Sequence, residues 1–186
     1  MAAGLRAPRL RLAPLGLGLI LISACSLQQP LAQANQSQAI VGHPAPDWVG
    51  TDLDGHRIAL KDFLGHPVFL NFWASWCGPC RAEQPGIDRI AHDYASRGLR
   101  VVGVDIRDSQ DQARIYRDEF KMPYPSVFDQ AAHLGYAYQI DAPPSSIFID
   151  AKGVVVFKIT GGLGEDNYRR IIEDKLFPKA LPSASR

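Results

Sequence analysis

Apolar residues follow two different spacings along the chain, and these spacings predict its strands and helices. Continuous apolar runs at residues 67–73 and 99–105 predict strands that are covered on both faces. Between them, Ile87, Ile90 and Tyr94 recur at intervals of three and four residues, which predicts a helix with one buried face. This part of the chain therefore forms a strand–helix–strand unit.

The second half of the chain continues the alternation. Ser109 and Gln112 form a capping-box pattern, which predicts the start of another helix. Segments 146–150 and 154–159 flank a glycine-containing turn and predict a hairpin, and an amphipathic helix around Tyr168 follows it. With a further short hairpin near the N-terminus, this order predicts an α/β sandwich around a mixed sheet.

The first residues predict an export signal. Three arginines precede an apolar stretch at residues 12–24, which is too short for a membrane core of about 30 Å and is typical of a signal peptide spanning residues 1–24. Residues 22–25, ISAC, resemble the bacterial lipobox, so Cys25 is a candidate lipidation site that would anchor the protein outside the cytoplasm. Cleavage after the A-Q-A site at residues 32–34 would instead release a soluble protein.

A single domain is expected after the signal. Residues 25–39 are polar and predict a flexible tether, residues 40–177 are the predicted folded domain, and residues 178–186 are expected to form a disordered tail. The formal net charge of +1 gives no basic face, which argues against nucleic acid as a partner. We expect the domain to be a monomer.

Cys77 and Cys80 lie one helical turn apart, directly after the first apolar run. Side chains at this spacing have Cβ atoms about 5–6 Å apart, so a small local adjustment closes a disulfide between them. At the start of a helix, unpaired N–H groups and the helix dipole favour a thiolate. Cys77 is therefore the predicted nucleophile, Cys80 the predicted resolving residue, and Pro79 a residue suited to the first turn.

Two other roles for the cysteine pair remain open at this point. A purely structural disulfide would close a very short loop and would remove little chain entropy. A zinc site would need further ligands, and the histidines have no H-x3-5-H spacing. The sequence thus favours redox chemistry, and we expect neither a metal nor a cofactor.

Three motifs carry a resemblance to a known family: FWASWCGPC at residues 72–80, CRAEQP at 80–85 and PSSIFID at 144–150. They resemble the thioredoxin superfamily, and in particular its exported TlpA/ResA branch, which has domains of the AhpC/TSA and Redoxin type and includes cytochrome c maturation proteins. The resemblance covers residues 44–177. It implies a thioredoxin-like three-layer α/β/α sandwich with a central mixed sheet, an N-terminal β-hairpin extension and a helix-strand-helix insertion.

The resemblance also implies the residues of the site. Pro144 is the expected cis-proline that faces the disulfide, and it counts with the cysteines as part of the catalytic centre. The expected substrate-facing residues are Trp76, Gly78, Pro79 and Pro143.

The chain departs from related patterns at Asn71 and Ser145, whereas a glutamate at position 83 is typical of this branch. Asn71 stands where cytoplasmic thioredoxins have a buried aspartate. Glu83 lies three residues after Cys80 on the same helical face, so it is the predicted acid/base, although a solvated helix charge remains the alternative. Ser145 replaces the glutamate that often follows the cis-proline in cytochrome c maturation members.

Together these features predict a membrane-tethered thiol:disulfide oxidoreductase that reduces protein disulfides, including those of apocytochrome c, with electrons from a membrane thiol donor. The Gly-Pro pair between the cysteines matches reducing thioredoxin, whose potential is about −270 mV. A thiol peroxidase is one alternative, although Leu70 and Ala74 occupy the positions of the peroxiredoxin proline and threonine. A copper-binding metallochaperone is another, with His133 as a possible distant ligand.

Overall fold

The structure is a computed structural model that describes residues 39–178. The predicted signal peptide, Cys25 and the site at residues 32–34 lie outside these residues, as do nearly all of the tether and tail. Ala39, which the sequence assigns to the tether, is buried, and its N–H donates to the carbonyl of Ala137 at 3.0 Å. Ala39 therefore packs with the domain in the described part of the chain. Within residues 39–178, no helix is long and apolar enough to cross a membrane.

Seven strands and four α-helices make up the described domain. The strands are β1 (Val49–Thr51), β2 (Arg57–Ala59), β3 (Val68–Trp73), β4 (Arg100–Ile106), β5 (Ser126–Asp129), β6 (Ser145–Ile149) and β7 (Val155–Thr160). The helices are α1 (Gly78–Tyr94), α2 (Gln110–Phe120), α3 (His133–Ala137) and α4 (Glu165–Ile171), which continues as a π-helical turn, Ile172–Leu176.

The central sheet is mixed and has the strand order β5-β4-β3-β6-β7. Strands β3, β4 and β5 run parallel, whereas β6 and β7 are antiparallel to their neighbours. All six residues of β3 are buried, as expected for the middle strand of a sheet covered on both faces. The hairpin formed by β1 and β2 is a separate two-stranded sheet.

Two layers cover the central sheet. On one face, α1 and α4 pack around stacked rings of Phe69 and Phe148, whose centroids are 4.6 Å apart, and α2 packs on Trp73 through Tyr116. On the other face, the hairpin, a 3-10 turn at Leu60–Phe63 and α3 enclose a second apolar cluster. The predicted three-layer sandwich is confirmed.

The helix-strand-helix insertion is also confirmed, because α2, β5 and α3 lie between β4 and β6. Helix α2 begins as predicted, since the Ser109 hydroxyl accepts the N–H of Gln112 at 3.3 Å. It ends at Phe120, ahead of Pro123 and Pro125, because Lys121 adopts a left-handed conformation with φ 52°.

Candidate active site

Cys77 and Cys80 form a disulfide at the junction of β3 and α1, with Cα atoms 5.2 Å apart. Cys77 is the N-cap of α1, and its Sγ accepts the backbone N–H of Cys80 at 3.2 Å. Only 4% of Cys77 and 2% of Cys80 are exposed. After reduction, the Cys77 sulfur lies where an N–H donor and the positive end of the helix dipole stabilise a thiolate.

An exposed rim surrounds the disulfide. Gly78 and Pro79 are exposed, and Trp76 is 59% exposed. The Trp76 indole N–H donates to the carbonyl of Arg107 at 3.1 Å, while the Arg107 guanidinium donates to the carbonyl of Asp141 at 2.5 Å. Arg107 thus connects the tryptophan to the segment that leads into the proline pair.

The peptide bond between Pro143 and Pro144 is cis, which is the geometry that the resemblance implied for this position. Pro144 is buried and Pro143 is half-buried. The residue after the pair, Ser145, is the register partner of Phe72 near the end of β3. The antiparallel pairing of β6 with β3 therefore brings the cis-proline to the end of the sheet that carries the cysteines.

Glu83 is half-buried on α1, and burial raises the pKa of its carboxyl to about 7. The Tyr168 hydroxyl donates to both carboxylate oxygens, at 3.3 and 3.4 Å, and this hydrogen bond opposes the rise in the pKa. Tyr168 in turn accepts a hydrogen bond from the Ser146 hydroxyl at 3.3 Å. A carboxyl with a pKa close to neutral can both accept and return a proton at physiological pH.

Asn71 is buried on β3, and its side-chain oxygen has no hydrogen-bond partner. A buried acid is present on the neighbouring strand: Asp105, at 0% exposure, is the register partner of Trp73 and has no partner for either carboxylate oxygen. Burial and then the negative charge of Asp108 raise the pKa of Asp105 to about 8. Trp73 itself is a core residue, and its indole N–H donates to Ser126 at 2.8 Å.

Within the described part of the chain, one group of side chains has the spacing of a metal site: Asp52, Asp54 and His56, on the turn between β1 and β2. Asp52 Oδ1 accepts the N–H groups of Asp54 and His56, at 2.9 and 2.8 Å. These carboxylate contacts close the hairpin turn, so the group has a structural role.

The sequence patterns do not reveal the partners of Glu83. They predict Tyr168 on the buried face of the last helix, but not that its hydroxyl reaches α1. Nor do they indicate that Gly162, in the loop after β7, lies against the Glu83 carboxylate. The one available signal was that a buried tyrosine hydroxyl needs a hydrogen-bond partner.

The sheet order, the disulfide at the start of α1 and the cis-proline beside it define a protein of the thioredoxin superfamily with a redox-active cysteine pair. Comparisons with known proteins agree. The model of the AhpC/TSA family matches residues 41–158. The thiol-disulfide oxidoreductase ResA of Geobacillus kaustophilus is 34% identical over 133 residues, which cover 72% of this chain and 76% of that protein.

Two solved structures are similar over most of their length. A thiol:disulfide interchange protein of the thioredoxin family from Chlorobium tepidum is 30% identical, with a TM-score of 0.64 and coverage of 71% of this chain and 94% of the other. A secreted thiol-disulfide isomerase from Corynebacterium glutamicum is 26% identical, with a TM-score of 0.63 and coverage of 68% and 81%. The chain belongs to the AhpC/TSA family, among its ResA-like members, and it is a thiol:disulfide oxidoreductase.

Proposed function

We propose that this protein is a reductase of protein disulfides that works outside the cytoplasm and is held at the membrane by a lipid on Cys25. The observation that carries the proposal is the position of the Cys77 sulfur, which accepts the Cys80 N–H at the start of α1 and lies beneath an exposed rim. A sulfur in this position is stabilised as a thiolate, the form that attacks disulfides.

Cys77 performs the first step. Its thiolate attacks one sulfur of a substrate disulfide, a Cys77–substrate bond forms, and the substrate S–S bond breaks. The departing substrate sulfur takes the electron pair and is protonated by water. The rim residues Trp76, Gly78 and Pro79 contact the substrate at this stage, and the backbone at Pro143 pairs with its extended chain.

Cys80 and Glu83 perform the second step. The Glu83 carboxylate accepts the thiol proton of Cys80, whose thiolate then attacks the Cys77 sulfur. The mixed disulfide breaks, and the second substrate sulfur leaves with the electron pair and takes the proton from Glu83. The substrate gains two electrons and two protons, and the protein is left with the Cys77–Cys80 disulfide.

A reductase in an oxidising compartment needs a supply of electrons, so a membrane thiol donor restores the dithiol after each turnover. The export signal and the lipobox-like segment at residues 22–25 support this location, as does the secreted relative described above. Apocytochrome c is a candidate substrate because its cysteines must be reduced before haem attachment. Ser145, which is buried and donates to the carbonyl of Ala142 at 2.8 Å, lacks the charge found there in maturation proteins, which favours a broader range of exported substrates.

The experiment is to trap the mixed disulfide. Full-length Cys80→Ser protein, expressed in the native host, should accumulate covalent adducts on Cys77, which mass spectrometry identifies after non-reducing purification. The matched control is the Cys77→Ser/Cys80→Ser double variant, which should carry none. Adducts with exported proteins support the proposal, whereas an absence of adducts overturns it. Loss of Cys25→Ser protein from the membrane fraction tests the lipid anchor separately.

A further inference from the structure

We propose that Tyr168 and Ser146 form a hydrogen-bonded chain that positions the Glu83 carboxylate for proton exchange with Cys80. This inference rests on the proposed role of Glu83 as the acid/base. Tyr168 and Ser146 are positioning residues, because both act through Glu83.

The tyrosine is held rigidly. Tyr168 is at 0% exposure on α4, and its ring centroid lies 5.2 Å from that of Phe69 and 6.3 Å from that of Phe148, both in the central sheet. Its hydroxyl is within hydrogen-bond distance of both Glu83 oxygens. The packing of α4 on the sheet therefore determines where the carboxylate lies.

Ser146 determines which way the tyrosine proton points. It is fully buried on β6, two residues after the cis-proline Pro144, and its hydroxyl donates to Tyr168 at 3.3 Å. A phenol has a single proton to donate. Since Ser146 fills an acceptor position on the Tyr168 oxygen, that proton is directed towards Glu83.

Among the polar and ionisable groups around Glu83, Tyr168 is the one whose hydrogen bond lowers the pKa of the Glu83 carboxyl. Burial raises the pKa of Tyr168 to about 12, so the phenol remains a donor at neutral pH. Burial also raises the pKa of Tyr116 and Tyr124, on the side of α2, so both stay neutral. On the side of α4, Glu165 is paired with two arginines. On α1 itself, the charged side chains within two turns of Glu83 are Arg81, Asp88 and Arg89, and the two cysteines lie at the start of the helix.

The Tyr168 hydrogen bond favours the ionised form of Glu83, so its removal should raise the pKa of that carboxyl further. The acid would then hold its proton over a wider range of pH. At pH values below the shifted pKa, a smaller fraction of Glu83 is ionised than in the wild type, so less of it can accept the Cys80 proton. Resolution of the mixed disulfide should slow at neutral pH, while the first attack by Cys77 stays unchanged.

The test uses the full-length reduced protein and 5,5′-dithiobis(2-nitrobenzoate). The first coloured thiolate released reports attack by Cys77, and the second reports resolution by Cys80. In Tyr168→Phe, the inflection in the second rate should move to higher pH by about 0.5–1 unit, and the rate near neutral pH should fall by about 2- to 5-fold. Ser146→Ala should produce a smaller shift in the same direction, and this variant keeps the inference testable if Tyr168→Phe folds poorly.

Tyr138→Phe is the matched control. Tyr138 is also at 0% exposure, but it lies in the apolar cluster on the other face of the sheet, and its hydroxyl donates to the carbonyl of Pro46 at 2.8 Å. Its profile should match that of the wild type. An equal shift in Tyr138→Phe would assign the effect to general packing and overturn the inference.

Glu83→Gln separates this inference from the proposed function. If Glu83→Gln removes the inflection but Tyr168→Phe and Ser146→Ala leave it in place, the positioning role is wrong and the acid/base role stands. If Glu83→Gln keeps the inflection, Glu83 is not the base, and both proposals for this residue fail.

Discussion

Gly162 lies directly against the carboxylate of Glu83: a Cβ atom added at residue 162 would be 2.3 Å from Oε2 and 3.6 Å from Cγ of Pro144. Its φ is outside the left-handed region, so the backbone itself does not require glycine there. Glycine is needed there because a side chain would have no room beside the Glu83 carboxylate. The loop after β7 comes close to both the acid and the cis-proline because it carries no side chain at this residue.

Gly162→Ala should therefore impair the acid without disturbing the fold. The new methyl group meets the end of a flexible side chain, so Glu83 should turn away and lose its hydrogen bond with Tyr168. We expect release of the second thiol from a mixed disulfide to slow by about 10-fold, with a change in the free energy of unfolding below about 1 kcal/mol. Stopped-flow absorbance and urea unfolding measure the two effects.

The control for this variant is Gly50→Ala on the hairpin, where an added Cβ would lie 3.0 Å from a side-chain carbon of Val127. It introduces similar crowding away from the cysteines and should leave thiol release unchanged. Equal release rates for Gly162→Ala and the wild type would show that the acid does not depend on its present position.

The central elements of the site could be predicted because each one is encoded within a short segment. The apolar run of β3, the cysteines and the face of α1 are continuous in sequence, and helical spacing places Glu83 on the same face of α1 as Cys80. The cis-proline came from the resemblance of the segment around it. Each of these predictions needed no knowledge of how distant elements pack.

The parts that could not be predicted depend on contacts between distant segments. Tyr168 and Glu83 are 85 residues apart, and their contact depends on how α4 docks beside α1. Asp105 ends an apolar run, where an aspartate normally marks the edge of a strand. In the structure it is buried within β4, between its register partners Trp73 on β3 and Phe128 on β5. The local pattern contains no signal for either arrangement.

Gly103→Ala should destabilise the core beneath the cysteines. A Cβ at this residue would lie 2.5 Å from Ser126 Oγ and 2.7 Å from Trp73 Nε1. These two buried atoms form a hydrogen bond, so the methyl group would break a buried polar contact as well as overpack the core. We expect a loss of about 2–3 kcal/mol in the free energy of unfolding. Urea titration measures it, and a midpoint equal to that of the wild type would contradict the prediction.

Gly78→Ala is the comparison for that variant, because an added Cβ there would meet no atom within 4 Å. Gly78 is the first residue of α1, where alanine is a better helix former. Its unfolding midpoint should stay at or slightly above the wild-type value. The contrast between the two substitutions isolates crowding in the core from the general effect of replacing glycine.

Trp76→Ala should selectively weaken the binding of protein substrates. The exposed indole offers a large contact surface next to Cys77, and truncating an aromatic side chain of this kind commonly reduces binding by about 2 kcal/mol. We expect kcat/KM for insulin reduction to fall by about 10-fold or more, mainly through KM. The rate of Cys77 alkylation by iodoacetamide should change little.

Tyr136→Ala, at a 74% exposed aromatic on α3, is the control and should leave both rates unchanged. A parallel fall in alkylation would assign Trp76 to thiolate stabilisation instead.

Asp105→Asn should stabilise the protein, increasingly so as the pH rises. The pKa of Asp105 is raised from 3.8 to about 8 in the folded state, so between these values the folded protein keeps a proton that the unfolded chain has lost. The free energy of unfolding of the wild type therefore falls as the pH rises through this window. Asparagine has nearly the same shape and cannot ionise. The variant should unfold at similar urea concentrations near pH 4, and should be more stable by a few kcal/mol, on the order of 2–4, near pH 9. If the free energies of unfolding of both proteins change in parallel with pH across this range, Asp105 ionises in the folded state with little loss of stability.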